Sequence, residues 1–398
     1  MGSNPTSSAN QIKSDRRTLR LETTFANLSF ICYVDVMIRS RRHLRIVVGI
    51  VSVVLLLVGP SAAISAQAST QQIKMSTQCL NAADITDNGN DVWVLCEGVT
   101  TTTSNMIEID VHSGKIVKNQ TLSTDIVTPE EIVSNAHYLW IIGQGGEVGQ
   151  YATPSGTLVR VLTSPDIPLS STAITATADS LWISDRGEHH IVEISAATGH
   201  VIAQGAPDGF AQPLSVVASG HYVWVLDQVQ STSVPEEFNY TLTQLTTSGA
   251  VVRRMTLFEL STTTQKSKGI LEMPDSLTAT PSDVWVNSAQ TGAIEVSAAT
   301  GHVVRQYKSW PTLGTHMGYH LMAVVGAKLL VVSPGPALFE LNVNTAKVIG
   351  QYGLAGYFFR GGDYAIATDK KYVWAMNANL GQLAEFKLSN GDLLRVYS

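Results

Sequence analysis

Three groups of residues in this chain have the types that recognition or proton transfer needs. Trp310, His316, Tyr319 and His320 fall within eleven positions. An aromatic face beside imidazoles suits a sugar, a peptide or an aromatic ligand. The plainer reading is an aromatic that covers the end of a central channel. His316 and His320 are four apart, the spacing that puts two ligands on one helical face. Gly314 and Gly318 break a helix there, which argues against a metal pair. Asp185, Arg186, Glu188, His189 and His190 supply acids, imidazoles and a cation within six positions. Such a set can do general acid–base work, with Asp185, Glu188 and His189 as the catalytic candidates. A solvated charged loop has the same composition. Tyr357, Phe358, Phe359, Arg360 and Asp363 form the third group. Its two Phe are expected to pack down and leave Arg360 to take a carboxylate.

Asp227, Asn287 and Asn377 each close a short apolar run. Oxygens there could ligate a hard divalent cation, or simply cap the end of a strand. His137, His200, His221 and His302 read as turn residues. The chain contains no Gly-x-Ser-x-Gly elbow, phosphate loop or HExxH, and no nucleophile spaced with its base. No cofactor is expected with confidence, a divalent cation being the one candidate.

The elements that must position these residues repeat along the chain. The anchors are Val92-Trp-Val-Leu95, Leu139-Trp-Ile-Ile142, Leu181-Trp-Ile183, Val223-Trp-Val-Leu226, Val284-Trp-Val286, Leu329-Leu-Val-Val332 and Val373-Trp-Ala-Met376. Successive anchors lie 42 to 47 residues apart, except for 61 between Trp224 and Trp285. Each period holds four short strand-like segments bounded by Asp, Ser and Gly. In the third copy these are 173–177, 181–184, 191–195 and 200–204. Periods of this size with four strands predict an all-β, seven-bladed β-propeller over 83–398. A helical solenoid would need apolar residues at i, i+3, i+4 and i+7, which no segment of the repeat shows. Thr-Gly, Ser-Gly or Asn-Gly ends the third strand of six copies, because such tight turns need positive φ. The sixth copy has Thr345-Ala346 and is expected to turn differently. The repeated Trp is expected to fill the space between blades. Trp310 is the only Trp outside this scheme.

The strand–turn–Val-Trp-Val core and phrases such as Ile109-Asp-Val-His-Ser-Gly-Lys-Ile-Val117 carry a resemblance. The chain resembles bacterial propellers of YVTN-type repeats, in the wider group of streptogramin B lyases and quinoprotein-like propellers. The resemblance covers about 83–398 and implies a fold more than a function. No Trp closes the phrase after Thr-Gly, which departs from the quinoprotein pattern and argues against bound pyrroloquinoline quinone. No lyase catalytic residue aligns with a numbered position here.

Ahead of the repeat, 1–36 reads as a polar extension whose translation is open, since Met37 stands where a secretory signal begins. Basic residues follow to Arg45, then the apolar run 46–58, Gly59-Pro60 and Ala66-Gln67-Ala68. This is the order of a signal peptide over 37–68, cleaved after Ala68. An uncleaved anchor is the alternative, because 46–66 is uncharged and long enough to span a bilayer. Residues 69–82 form a tail. Either way the propeller is expected outside the cytoplasmic membrane, secreted or anchored. Three Cys occur, and Cys79 and Cys96 remain after cleavage, an even pair suited to a disulfide in an oxidising compartment. Their spacing fits no zinc pattern.

The net charge is −6 and only 15% of residues are charged. Removing the Arg-rich segment leaves the remainder more acidic, with no basic stripe for nucleic acid. A surface poor in carboxylates also suits an acidic habitat. Every long connection, 227–240, 257–275, 308–320 and 353–362, falls between strands b and c or d and a. Those loops share one face of a propeller, and loops that grow on one face usually carry its binding surface. The expected function is therefore a monomeric binding or interaction module for a small molecule, glycan or protein, with the site on blades four to seven. Trp310, His316, Tyr319, His320 and Arg360 are its ligand-binding candidates. The alternatives are a lyase or lactonase with a divalent cation at the channel mouth and, third, a quinone-cofactor oxidoreductase.

Overall fold

The computed structural model describes residues 16–25, 28–37, 71–75, 79, 81–98, 103–163, 167, 171–205, 209–230, 238–261, 266–269, 274–288, 292–307, 321–332, 337–353 and 364–398. The chain divides into two compact units, Met1–Ser65 and Ala66–Ser398. In the first, Arg16–Phe25 pairs antiparallel with Leu28–Met37 in a two-stranded hairpin. The second strand, LSFICYVDVM, has the β-branched and aromatic content that strands favour, so 1–36 is more patterned than its overall polarity suggests. The apolar run 46–58 lies outside the described residues. Among the described residues no helix is long and apolar enough to cross a membrane.

The second unit is a seven-bladed propeller. Blade one comprises strand a (Asn81–Asp87), b (Asp91–Glu97), c (Asn105–Asp110) and d (Ile116–Thr121), hydrogen-bonded antiparallel in that order. Blades two to seven repeat the order, with strands a at Pro129–Ser134, Ser171–Ala176, Pro213–Ser219, Pro274–Ala279, Leu321–Val325 and Tyr364–Thr368. Each strand a contacts that of the next blade, and the seventh contacts the first, so the ring closes. Blade four adds a fifth strand, Lys266–Gly269. Blade seven gains Gln71–Ile73 as a parallel outer strand beside Leu393–Tyr397. The Cys79–Cys96 disulfide then ties the segment after that strand to blade one.

The anchor Trp does the packing. Trp93, Trp140, Trp182, Trp224, Trp285 and Trp374 are almost fully buried. Each joins a cluster made largely of the next blade's core: Trp93 with Leu139 and Ile141, Trp182 with Val223 and Val225, Trp374 with Val92 and Val94. Leu330 does the same against blade seven. At about 150–250 Å² each, such a side chain contributes roughly 4–6 kcal/mol of gross hydrophobic stabilisation.

A second repeat runs beneath the first. Opposite each anchor residue, strand c carries a buried Glu or Gln: Glu108, Gln150, Glu193, Gln244, Glu295, Glu340 and Glu385. In blades one, five and seven the carboxylate pairs with a cation on strand d, through Lys118–Glu108 at 2.8 Å, Arg305–Glu295 at 2.6 Å and Arg395–Glu385 at 2.7 Å. In blade six Lys328 of strand b serves Glu340 at 2.8 Å. These groups reach on to carbonyls of the next blade's c–d turn. Lys118 donates to Pro154 and Ser155, Arg305 to Val343, Lys328 to Leu388, and Tyr397 to Gly114. In blades two and four the amide itself crosses, Gln150 to Ala196 and Gln244 to Ala298, each beside an Arg from strand d. Blade three is the exception. Among the described residues Glu193 accepts only from its own Ser180, and Ala203 stands where the cation would be.

The same contacts explain the turn glycines. Gly114 has φ +63, and the Arg395 guanidinium fills the space a Cβ would need. The sixth turn does not differ as expected: Ala346 adopts φ 55 and its N–H reaches Asn342 O at 2.8 Å, the i to i−4 bond that Gly114 makes with Asp110. The turn that differs is in blade four, where Gly249 N donates to Thr246 O, three residues back.

Candidate functional site

On the b–c side, strand b of blade three ends at Asp185, which is fully buried. Its Oδ1 accepts from Gly187 N at 2.8 Å and Glu188 N at 3.0 Å, folding the charged loop back on itself. His189 then takes φ 61, and Glu188 and His189 are exposed. Asp185 Oδ2 meets no hydrogen-bond donor among the described residues and lies 4.0 Å from His190 Nε2. Arg186 turns to blade four, donating to Gln212 Oε1 through Nε at 3.2 Å and Nη2 at 3.0 Å.

Blade four answers with Asp227, also buried. Its Oδ1 accepts from Gln212 N at 2.8 Å and Ala211 N at 3.1 Å. Burial pushes its carboxyl above the usual range, opposed by those two N–H groups and by nearby Arg254 and His189. The structure therefore brings Arg186, His189 and Asp227 to one boundary, between blades three and four. Asn287 on blade five donates to Asp275 Oδ1 at 3.1 Å. Asn377 on blade seven caps the 3-10 turn Ala378–Leu380, accepting from Leu380 N at 3.2 Å. Asp227, Asn287 and Asn377 thus serve separate blades as caps and tethers. No group of three His, Cys, Asp or Glu suited to a metal occurs among the described residues. Trp310, His316, Tyr319, His320 and Arg360 lie outside the described residues.

Two carboxylates that the repeat conceals are on strands a. Asp84 Oδ2 accepts from Ile132 N of blade two at 2.9 Å, and Glu131 Oε2 accepts from Ile174 N of blade three at 3.0 Å. Both keep part of their surface accessible but are ringed by protein atoms. That burial raises Asp84 from 3.8 to about 7, and raises Glu131 well above its usual value with Asp84's charge adding to the effect. The matching positions in blades three to five, also paired just past a register shift, are Ala173, Ser215 and Ser276. An acid present in two copies of seven does not register as part of a repeat.

The opposite face holds a basin. The a–b turns of blades one to five are tied together: Ser134 Oγ donates to Asp87 O, Asn135 Nδ2 to Thr177 O, Ala218 N to Thr175 Oγ1 and Ser219 Oγ to Thr280 O. No such tie joins blades five to six, six to seven or seven to one among the described residues. There a cavity of about 730 Å³ opens, bordered by Asp87, His112, Ser282, Val325, Asp369 and Tyr372. Burial, with the neighbouring Asp369 and Asp91 charges, lifts Asp87 to about 6.

With this geometry in view, known structures place the fold. Hydrazine synthase from Kuenenia stuttgartiensis matches at 13% identity and a TM-score of 0.59, over 81% of this chain and 99% of that one. The computationally designed Ika8 protein matches at 12% and 0.55, over 83% and 90%. Kluyveromyces lactis Hsv2 matches at 13% and 0.54, over 80% and 96%. No protein-family model matches the chain, and no curated protein does. At these identities the likeness is one of fold.

Proposed function

We propose that this chain is an exported β-propeller that acts as a binding or interaction module, with its main ligand surface on the b–c and d–a loops of blades four to seven. The observation that carries this reading is the asymmetry of the connections. Long ones run from Gln230 to Phe238, Tyr307 to Leu321 and Gly353 to Tyr364, all on that side, while the a–b turn of blade six needs only Gly326-Ala327. The burial and capping duties of Asp227, Asn287 and Asn377 favour recognition over a metal-dependent lyase or lactonase. The Cys79–Cys96 disulfide and the signal-like order of 37–68 support export. The resemblance to YVTN-type repeats is part of this reading and rests on the strand phrases alone.

The test uses the full chain against arrays of glycans, peptides and small aromatic ligands, with Trp310→Ala and Arg360→Ala as variants. Saturable binding that each variant weakens by about tenfold, a loss of ~1.4 kcal/mol, supports the reading. Binding that survives both substitutions unchanged removes it from those loops. Turnover of the bound ligand, lost in Asp185→Asn, would restore the enzyme alternative.

A further inference from the structure

We propose a second site on the opposite face, where the a–b and c–d turns of blade seven, beside Lys328 of blade six, hold a phosphate or sulfate ester. A hollow of about 380 Å³ there is lined by Lys328, Lys370, Lys371, Tyr372, Lys387 and Ser389, and by no carboxylate among the described residues. Lys328 is already neutralised by Glu340. Lys370, Lys371 and Lys387 are exposed and make no ion pair among the described residues. They gather in a chain that is acidic overall: from Ser69 onward it has 18 Lys and Arg against 29 Asp and Glu. Like charges brought together without counterions repel, by about 1 kcal/mol per pair at 4 Å even in water. A doubly charged oxyanion relieves that repulsion for all three. Ammonium groups on flexible stems suit a tetrahedral oxyanion, since they act as point charges without the planar fork that favours carboxylates.

The surroundings orient such a ligand. The hollow shares Lys370, Lys371 and Tyr372 with the 730 Å³ basin, so a larger body can extend from one to the other. The basin end carries Asp87 and Asp369, whose Oδ1 atoms accept turn N–H groups, from Gly89 at 2.6 Å and from Tyr372 at 2.6 Å. Their negative charge repels an oxyanion from that end. Ser282 and His112 line the rest of the basin beside Val111, Pro281, Val324 and Val325, a lining that can take the hydroxyl edge and the apolar face of one ligand body. The ligand class is thus a sugar or similar polyol bearing a terminal phosphate or sulfate. This site lies on the face opposite the long loops, so it stands or falls independently of the function proposed above.

Titration calorimetry on the full chain, with glucose 6-phosphate, glucose 6-sulfate and unmodified glucose in moderate salt, tests it. Saturable one-to-one binding of either ester but not of glucose is expected, and the stronger of the two identifies the oxyanion. Lys371→Gln and Lys387→Gln should each weaken binding by about tenfold, the loss of one charge-assisted contact. Lys347→Gln, an exposed lysine on the c–d turn of blade six outside the hollow, should leave it unchanged. Non-saturable binding, equal weakening by Lys347→Gln, or binding of neither ester overturns the proposal. The substituted side chains are exposed, so an unchanged Tm separates loss of binding from loss of fold.

Discussion

The boundary between blades seven and one and the boundary between blades three and four solve the same packing problem with unequal means. At the first, the chain is not continuous. Tyr397 OH bridges Glu385 Oε2 at 2.9 Å and Gly114 O at 3.0 Å, Arg395 holds Glu385 with both oxygens, a parallel strand is added outside, and a disulfide follows. At the second, the chain runs straight through. The Trp182 packing is present, but no strand c or d side chain crosses to the blade-four turn among the described residues, and a Cβ at Gly249 would meet only the Trp182 ring edge, at 3.9 Å. The same kind of polar bridge also joins blades whose chain is continuous, so the bridges are a general tie added to an apolar ring, and the seam is distinguished by the strand and the disulfide added to them. Where the backbone itself limits separation, the ring tolerates their loss. The boundary left less bridged is also where Arg186, His189 and Asp227 meet.

The comparison can be broken most severely at the disulfide. Replacing Cys79 and Cys96 by Ser frees a loop with a sequence separation of 17. Chemical denaturation should show a loss of about 3 kcal/mol on the chain-entropy account. An unchanged midpoint would mean that the strand Gln71–Ile73 alone secures the seam.

A pH series distinguishes the boundaries differently, because Asp84 and Glu131 join blades one to two and two to three. A carboxylate raised from 3.8 to about 7 binds its proton more firmly in the fold than out of it. The stability it confers is complete below the unfolded value and is lost as pH rises through the folded one. Tm should therefore fall between about pH 4 and pH 7, and Asp84→Asn should flatten the profile. A Tm that rises over that range contradicts the assignment.

Tyr397→Phe removes both hydrogen bonds of the closing hydroxyl and should cost about 1–3 kcal/mol by thermal or urea unfolding. The smallest effect sharpens the comparison by construction. Ala203 pairs with Glu193 as Arg395 pairs with Glu385. Ala203→Arg should transplant the bridge and raise stability by about 0.5–1 kcal/mol. Ala203→Met controls for added apolar contact, and an equal gain from Met would show that charge is not the operative feature.

The anchor Trp run was readable because it recurs at near-constant spacing, and the observed strands of blade three, Ser180–Asp185 and His190–Ser195, lie close to those expected. The strand c Glu or Gln recurs as regularly, with a partner position nine or ten residues on, yet its residue types do not mark it as buried. Glu, Gln, Lys and Arg read as surface residues until the neighbouring turn that buries them is known. The turn at Ala346 departs from the expectation that only Gly suits positive φ, because the Val343 and Lys347 bonds around it hold an Ala there. Among the site residues, Asp185 was legible as a chemical type, but its capping of Gly187 and Glu188 was not.

By itself the sequence determined the period, the number of blades and the residue that fills each gap between them. Those depend on local alternation and on apolar size, which every copy states for itself. Only the tertiary structure decided which charged groups are bridges, which are caps and which remain unpaired. The Lys370–Lys371–Lys387 cluster comes from two turns of blade seven that its antiparallel strands bring together, and the Asp84–Glu131 pair from two neighbouring blades. Their electrostatics arise from that packing, which spacing along the chain does not state.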